Sequence, residues 1–149
     1  MPTYTVTSVG ISLSQLQKNA IAELITEAHH TNTGAPGFFA QVFFKSQELG
    51  DHFLGGQQNS NPHIFIHGLI RSGRSEKVKT ELMARIVERA AEICSIGKED
   101  IWMYIQDIEA EQMIEYGRVL PAPGLEAAWR DGISDKKIAA LNADGVKIS

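Results

Sequence analysis

The feature that most constrains the fold is a strand–helix–strand pattern that occurs twice along the chain. Apolar spacing predicts a strand at residues 4–9, a helix at 12–30 and a strand at 38–44. The same order returns as a strand at 63–70, a helical apolar face at 78–94 and a strand at 101–105. Ser14 with Gln17 matches a capping box, and Ser75 is a candidate cap for the second helix. The repeat therefore predicts two consecutive βαβ units.

Two βαβ units in one chain predict a particular sheet. Each crossover joins parallel strands with right-handed geometry, which gives four strands and two helices on one face, an α/β (α+β) fold. The strands FFAQVFF and IWMYI are apolar on both sides, so the open face of the sheet needs a cover. A second copy of the chain is the simplest cover, and we expect an oligomer.

At 149 residues the chain is predicted to be one domain, with halves at about 2–50 and 62–110 and a C-terminal extension at about 111–149. We expect the extension, which contains PAPG and Trp129, to wrap a neighbouring copy or to finish a helix.

Composition excludes several classes of function. A net charge of −4 argues against nucleic acid as a partner, and the chain has no 18-residue apolar run that would make it a membrane protein. Cys94 is the single cysteine and lies in a helical apolar stripe, so it is expected to be a small buried hydrophobe. With no leader pattern, these features predict a cytoplasmic protein. The histidine and cysteine spacing matches no zinc site.

Pro2 directly follows the initiator methionine, and Pro62 opens the second half. If the methionine is removed, Pro2 carries a secondary amine, which can act as an acid, base or nucleophile near neutral pH. The alternative is a proline that merely begins a strand, a tolerated position.

Two arginines and a histidine are the candidates for binding an anion. Arg71 and Arg74 lie where a strand ends and a helix begins, and the guanidinium fork matches a carboxylate. His29, late in the first helix, is predicted to face inward, whereas His30 is predicted to be exposed. The alternatives are two solvated surface arginines and a histidine that interacts with the helix dipole.

Tyr104 and Glu115 complete the candidate residues. Tyr104 lies within the strand IWMYI, where a tyrosine usually serves packing. Glu115 lies in MIEYGR beside apolar residues, and it becomes a usable base if it is desolvated. Otherwise it is a solvated surface glutamate.

The leading proline, the doubled βαβ pattern and the segments EAHH, HGLIRSGRS, IWMYI and MIEYGRVLP resemble the tautomerase superfamily. Within that superfamily they are similar to the cis-3-chloroacrylic acid dehalogenase subgroup. The likeness covers most of residues 2–120 and implies a tautomerase-like fold, a homotrimer and a reaction that needs no cofactor and no metal.

The resemblance also implies roles for individual residues. Arg71, Arg74 and His29 would bind the substrate carboxylate, Tyr104 and Glu115 would activate a water, and Pro2 would protonate the carbon next to the carboxylate. Water would thereby add across an activated double or triple bond, and the adduct of a cis-3-haloacrylate would collapse to malonate semialdehyde and halide.

Ala35 and Phe39, expected to line the pocket, depart from the family's pattern, in which a hydroxyl residue is expected near position 35. They predict weak or different dehalogenase activity. Two alternatives stay open: a keto–enol tautomerase acting on 2-oxo acids such as phenylpyruvate, and a non-catalytic carboxylate-binding protein. The charge of the Pro2 amine separates the two enzymes, because hydration needs a cationic acid and tautomerisation a neutral base.

Overall fold

A computed structural model of the chain describes residues 2–146 and 148. The main sheet strands are β1 (Thr3–Val9), β2 (Gln41–Gln47), β5 (His63–Arg71) and β6 (Ile101–Ile108). Two short hairpins are β3 (Phe53–Leu54) with β4 (Gln57–Gln58), and β7 (Ile114–Glu115) with β8 (Arg118–Val119). The helices are α1 (Gln15–Thr33), α2 (Glu76–Cys94), α3 (Glu126–Arg130) and α4 (Asp135–Ala143).

The sheet confirms the two βαβ units. Its strand order is β2-β1-β5-β6, with β1 parallel to β2 and β5 parallel to β6. The halves meet through antiparallel β1 and β5, where Thr3 pairs with Leu69 and Val9 pairs with His63. The antiparallel pairing therefore places the start of β1 beside the end of β5.

One hydrophobic core lies between the sheet and the two long helices. It is built from the inward residues of β1 and β5 and from one face each of α1 and α2. The buried members include Val6, Ile21, Ile25, Ile64, Ile66, Leu82 and Ile86. Cys94 is buried in this core, as predicted. Both helices therefore cover the same face of the sheet.

The ends of the elements differ from the predictions at a few positions. Ser14 and Gln17 form the capping box, and Ser75 caps α2, both as predicted. However, α1 continues to Thr33 and ends at Gly34, whose positive φ of 70° suits glycine. The predicted start of β2 is wrong, because Phe38 and Phe39 lie in a 3₁₀ turn before the strand. An apolar run alone cannot separate a strand from such a turn.

The other face of the sheet carries exposed aromatic side chains. Phe43, Trp102 and Tyr104 point away from the helices, and Phe65 between them is half-buried. We call this surface the open face. Apolar area of this kind on one side of a sheet is typical of an interface.

The C-terminal extension packs on its own chain. Trp129 and Ile133 form a second hydrophobic cluster with Phe38, Phe39 and Leu120. The indole nitrogen of Trp129 donates to the carbonyl of Val119 at 2.7 Å, which ties α3 to the β7–β8 hairpin. The extension therefore does not need a neighbouring copy to fold against. Across residues 2–146 and 148, no helix has the length and apolarity needed to cross a membrane.

Gly68 makes room for a ring in the middle of β5. A Cβ atom there would lie 2.5 Å from Cε1 of the fully buried Tyr4 ring. We expect Gly68→Ala to cost about 2 kcal/mol of unfolding free energy, because it overpacks the core. Urea unfolding measures this cost. Gly50→Ala is the control, since its Cβ would meet nothing closer than 3.9 Å; equal stability of the two variants would contradict this packing.

Candidate functional site

Four side chains line one small pocket. They are His29 near the end of α1, Ala35 in the loop that follows, Arg71 at the end of β5, and Arg74 just before α2. The cavity has a volume of about 10 Å³, room for one water-sized group. The pocket lies where β5, a central strand of the sheet, ends.

Arg71 is the most constrained of the four. Its side chain is 3% exposed, and both terminal nitrogens are bound by the C-terminal extension. Nη1 donates to the carbonyl of Pro121 at 2.8 Å, and Nη2 donates to Oε1 of Glu126 at 2.5 Å. Its buried Nε has no hydrogen-bond partner among the described residues. The extension therefore holds Arg71 through both terminal nitrogens, and Nε is the guanidinium nitrogen left without a partner among those residues.

Arg74 is half-buried and follows Gly73, whose φ of 102° is a conformation that favours glycine. Its Nε is also buried without a hydrogen-bond partner in the described part of the chain. Burial and the charge of Arg71 lower the pKa of Arg74. A buried donor that lacks a partner is costly, so each of these Nε groups favours a bound acceptor.

His29 is buried, and His30 is exposed, as the sequence predicts. Nδ1 of His29 lies 3.0 Å from the hydroxyl of Tyr4. Burial, followed by the positive charges of Arg74 and Arg71, lowers the pKa of His29 to about 4. His29 is therefore neutral near pH 7, and the positive charge of the pocket comes from the arginines.

Pro2 is buried at the beginning of β1. Its carbonyl accepts a hydrogen bond of 3.1 Å from the backbone nitrogen of Gln41, which anchors it next to the start of β2. Because Thr3 pairs with Leu69, the preceding Pro2 lies alongside the end of β5, where Arg71 begins the pocket wall. Met1 lies outside the described residues.

Glu115 lies on the β7–β8 hairpin, opposite Arg118. The turn consists of Tyr116 and Gly117, with φ values of 52° and 78°, the geometry that closes a tight hairpin. The Tyr116 hydroxyl donates to the carbonyl of Phe38 at 3.2 Å, which docks the turn on the second hydrophobic cluster. Glu115 is half-buried and takes part in further interactions.

Tyr104 and Phe39 lie apart from the pocket. Tyr104 is exposed on the open face, with its ring edge-on to Phe65 at 5.1 Å. Phe39 is buried against Phe38 and Trp129 in the second cluster. Within one chain, the structure therefore brings together His29, Ala35, Arg71 and Arg74, and it does not bring Tyr104 or Phe39 to them.

The sequence does not predict two residues that contact the pocket side chains, Glu126 and Tyr4. Glu126 binds Arg71 across 55 positions of sequence, and no local pattern announces such a pair. Tyr4 contacts His29 across 25 positions, and its one sequence signal is the glycine at position 68, which marks a close approach within a strand.

The Arg71–Glu126 pair should stabilise the fold at neutral pH. Burial raises the pKa of the Glu126 carboxyl, but the hydrogen bond and charge of Arg71 outweigh burial and lower it overall. This contribution is present above the carboxyl's ordinary pKa and is lost as the pH falls through its lowered value. We expect Glu126→Gln to cost about 3 kcal/mol at pH 7, because it leaves Arg71 buried without a counter-charge.

Chemical unfolding at pH 7 and at acid pH measures this effect, with the exposed Glu88→Gln on α2 as the control. The difference from the unmodified chain should shrink as the pH falls. A difference that is independent of pH would show that the charge of Glu126 is not what stabilises the pair.

Comparison with known proteins agrees with the fold. The family model described as "putative oxalocrotonate tautomerase enzyme" matches residues 1–132. A crystal structure of N1, a member of the cis-3-chloroacrylic acid dehalogenase family, is 33% identical, covers 95% of this chain and 99% of its own, and superposes with a TM-score of 0.85.

Two further structures extend this likeness. Native Ps01740 is 29% identical over 76% of this chain and 99% of its own, with a TM-score of 0.70. A symmetric trimer of fused 4-OT shares the fold at 15% identity, with a TM-score of 0.68 over 74% of this chain and 89% of its own. A comparison with curated protein sequences found no match. By its family match and its likeness to N1, this chain belongs to the tautomerase superfamily.

Proposed function

We propose that this protein is a cofactor-independent hydratase or hydrolytic dehalogenase of small unsaturated carboxylates. The observation that carries the proposal is the pair of buried, unpartnered Nε donors of Arg71 and Arg74 beside a neutral histidine. The likeness to a member of the cis-3-chloroacrylic acid dehalogenase family supports the same class of substrate.

The substrate carboxylate is bound by three donors in this proposal. Nε of Arg71 and the guanidinium of Arg74 supply hydrogen bonds and charge, and His29 supplies a neutral contact. Because Glu126 already pairs with Arg71, most of the uncompensated positive charge comes from Arg74. Arg74 is only half-buried, so its side chain has the freedom to open the small cavity for a ligand. The arginines then stabilise charge that moves onto the carboxylate in the transition state.

Pro2 is the proposed acid. With the initiator methionine removed, its secondary ammonium group delivers a proton to C2 of the substrate while water adds at C3. Glu115 is the proposed base that takes a proton from that water. A cis-3-haloacrylate thus gains water to form a 3-halo-3-hydroxypropanoate, which loses halide and a proton to give malonate semialdehyde. A propiolate gains water and reaches the same aldehyde through its enol.

Tyr104 takes part in this mechanism only if another copy supplies it. It lies on the open face, where a trimer would bury the exposed aromatic side chains and bring Tyr104 to a neighbour's site. The fused 4-OT structure is a trimer, which supports the same assembly here.

A second candidate is keto–enol tautomerisation of 2-oxo acids such as phenylpyruvate, favoured by the description of the matching family model. Ala35 in the pocket wall also supports a substrate without halogen, since the nearby Thr33 hydroxyl is engaged with the backbone of His29 and Ala35. Titration of the Pro2 amine by NMR distinguishes the two reactions. An ammonium at pH 7 favours hydration, and a free amine favours tautomerisation.

The test is incubation with cis-3-chloroacrylate, propiolate and phenylpyruvate, following halide, aldehyde and enol. Intact mass first establishes that Pro2 is the terminal residue. We expect hydration that falls about 10²-fold or more in Pro2→Ala and in Glu115→Gln, because each removes a proton-transfer group. Pro62→Ala and Glu111→Gln are matched controls at exposed positions and should retain activity.

Turnover of the acrylate or propiolate that survives both Pro2→Ala and Glu115→Gln would refute the mechanism. Activity on phenylpyruvate alone would replace the hydratase with the tautomerase. Binding of these acids without turnover of any of them would favour a carboxylate-binding protein on the same scaffold.

The trimer has a separate test. We expect the unmodified chain to elute as a trimer in size-exclusion chromatography with light scattering, and Trp102→Asp to shift it toward the monomer by placing a charge on the open face. Leu16→Asp is the control, because Leu16 is 80% exposed on α1, on the opposite side of the sheet. A trimer that tolerates Trp102→Asp would place the interface elsewhere.

A further inference from the structure

Tyr4 lies behind the pocket and contacts its histidine from the core side. The ring of Tyr4 is fully buried, and its hydroxyl lies 3.0 Å from Nδ1 of His29. Within the described part of the chain, Nδ1 is the one hydrogen-bonding partner of that hydroxyl. His29 also lines the pocket, so Nε2 is the ring nitrogen left to face a ligand.

The direction of this hydrogen bond follows from burial. The phenol keeps its proton, since burial raises the pKa of Tyr4 above its ordinary value. A buried O–H group without an acceptor costs about 1–3 kcal/mol, so the hydroxyl donates to Nδ1. In a neutral imidazole one nitrogen accepts and the other carries the proton. The proton of His29 is therefore on Nε2.

We propose that Tyr4 is a positioning residue that fixes His29 as the Nε2–H tautomer and aims that N–H at the substrate carboxylate. The other tautomer would present a lone pair to an anion and repel it. The ligand part of this inference rests on the proposed function, whereas the tautomer does not.

Gly68 helps to position the Tyr4 ring. The Tyr4 ring lies directly on the backbone of Gly68, where a Cβ atom would come within 2.5 Å of it. Any larger residue at 68 would push the ring and move its hydroxyl away from His29. The glycine in the strand HIFIHGLIR thus determines, through one ring, which proton His29 presents at the pocket.

The first measurement is the tautomer itself in the full-length protein. Long-range ¹H–¹⁵N correlation spectra of uniformly ¹⁵N-labelled protein at pH 7 distinguish the two neutral forms of an imidazole. The chain has five histidines, and the signals lost in His29→Gln identify His29. We expect the Nε2–H form; a predominant Nδ1–H form would overturn the inference, whatever the activity of the protein.

The second measurement compares Tyr4→Phe, which keeps the ring and removes the hydroxyl, with the unmodified chain. We expect the Nδ1–H form to become populated and the Kd for propionate, a saturated carboxylate that cannot be hydrated, to rise about fivefold, the effect of one hydrogen bond. With a turned-over substrate, KM should rise by a similar factor and kcat should change less.

The control is a double-mutant cycle with His29→Gln. The glutamine amide can place an N–H donor near the position that Nε2 occupies in the unmodified chain, and it has no tautomers. Tyr4→Phe should then have no further effect on the Kd for propionate. An equal loss in both backgrounds, or an unchanged tautomer in Tyr4→Phe, would refute the positioning role. Expected tautomer and binding results without turnover of any substrate would leave this inference standing and refute the proposed reaction.

Discussion

The structure around the site depends on the compensation of one buried charge, the guanidinium of Arg71. A buried cation without a partner would destabilise the fold by several kcal/mol, on the order of 3–5. Glu126 and the carbonyl of Pro121 supply that partner from the C-terminal extension. The pair therefore joins the extension to the central sheet, and it leaves Nε as the one nitrogen of Arg71 without a hydrogen-bond partner in the described part of the chain.

The second hydrophobic cluster positions the hairpin that carries Glu115. Trp129 packs against Phe39 and donates to the carbonyl of Val119, and the Tyr116 hydroxyl binds the carbonyl of Phe38. These contacts hold the hairpin of Glu115 against the loop that follows α1. The extension thus contacts both Arg71 in the pocket and the hairpin that carries Glu115, the proposed general base.

The sequence predicts what is local and misses what is not. The βαβ repeat and the caps at Ser14 and Ser75 follow from periodicity and spacing over a few residues. The sequence wrongly predicts a strand at Phe38 and Phe39, because apolarity alone does not distinguish a strand from a buried turn. The Arg71–Glu126 pair joins segments 55 positions apart and leaves no local pattern.

The two halves of the repeat differ chemically at their prolines, Pro2 and Pro62. Pro2 is buried at the start of β1, and Pro62 precedes β5 at the matching point of the second half, where it is exposed. The nitrogen of an internal proline is an amide and cannot carry a titrating proton, so the two halves are structurally alike but not equivalent as reagents. One polypeptide can thus present at most one proline amine, and a reagent that modifies such amines would reach a stoichiometry of at most one per chain.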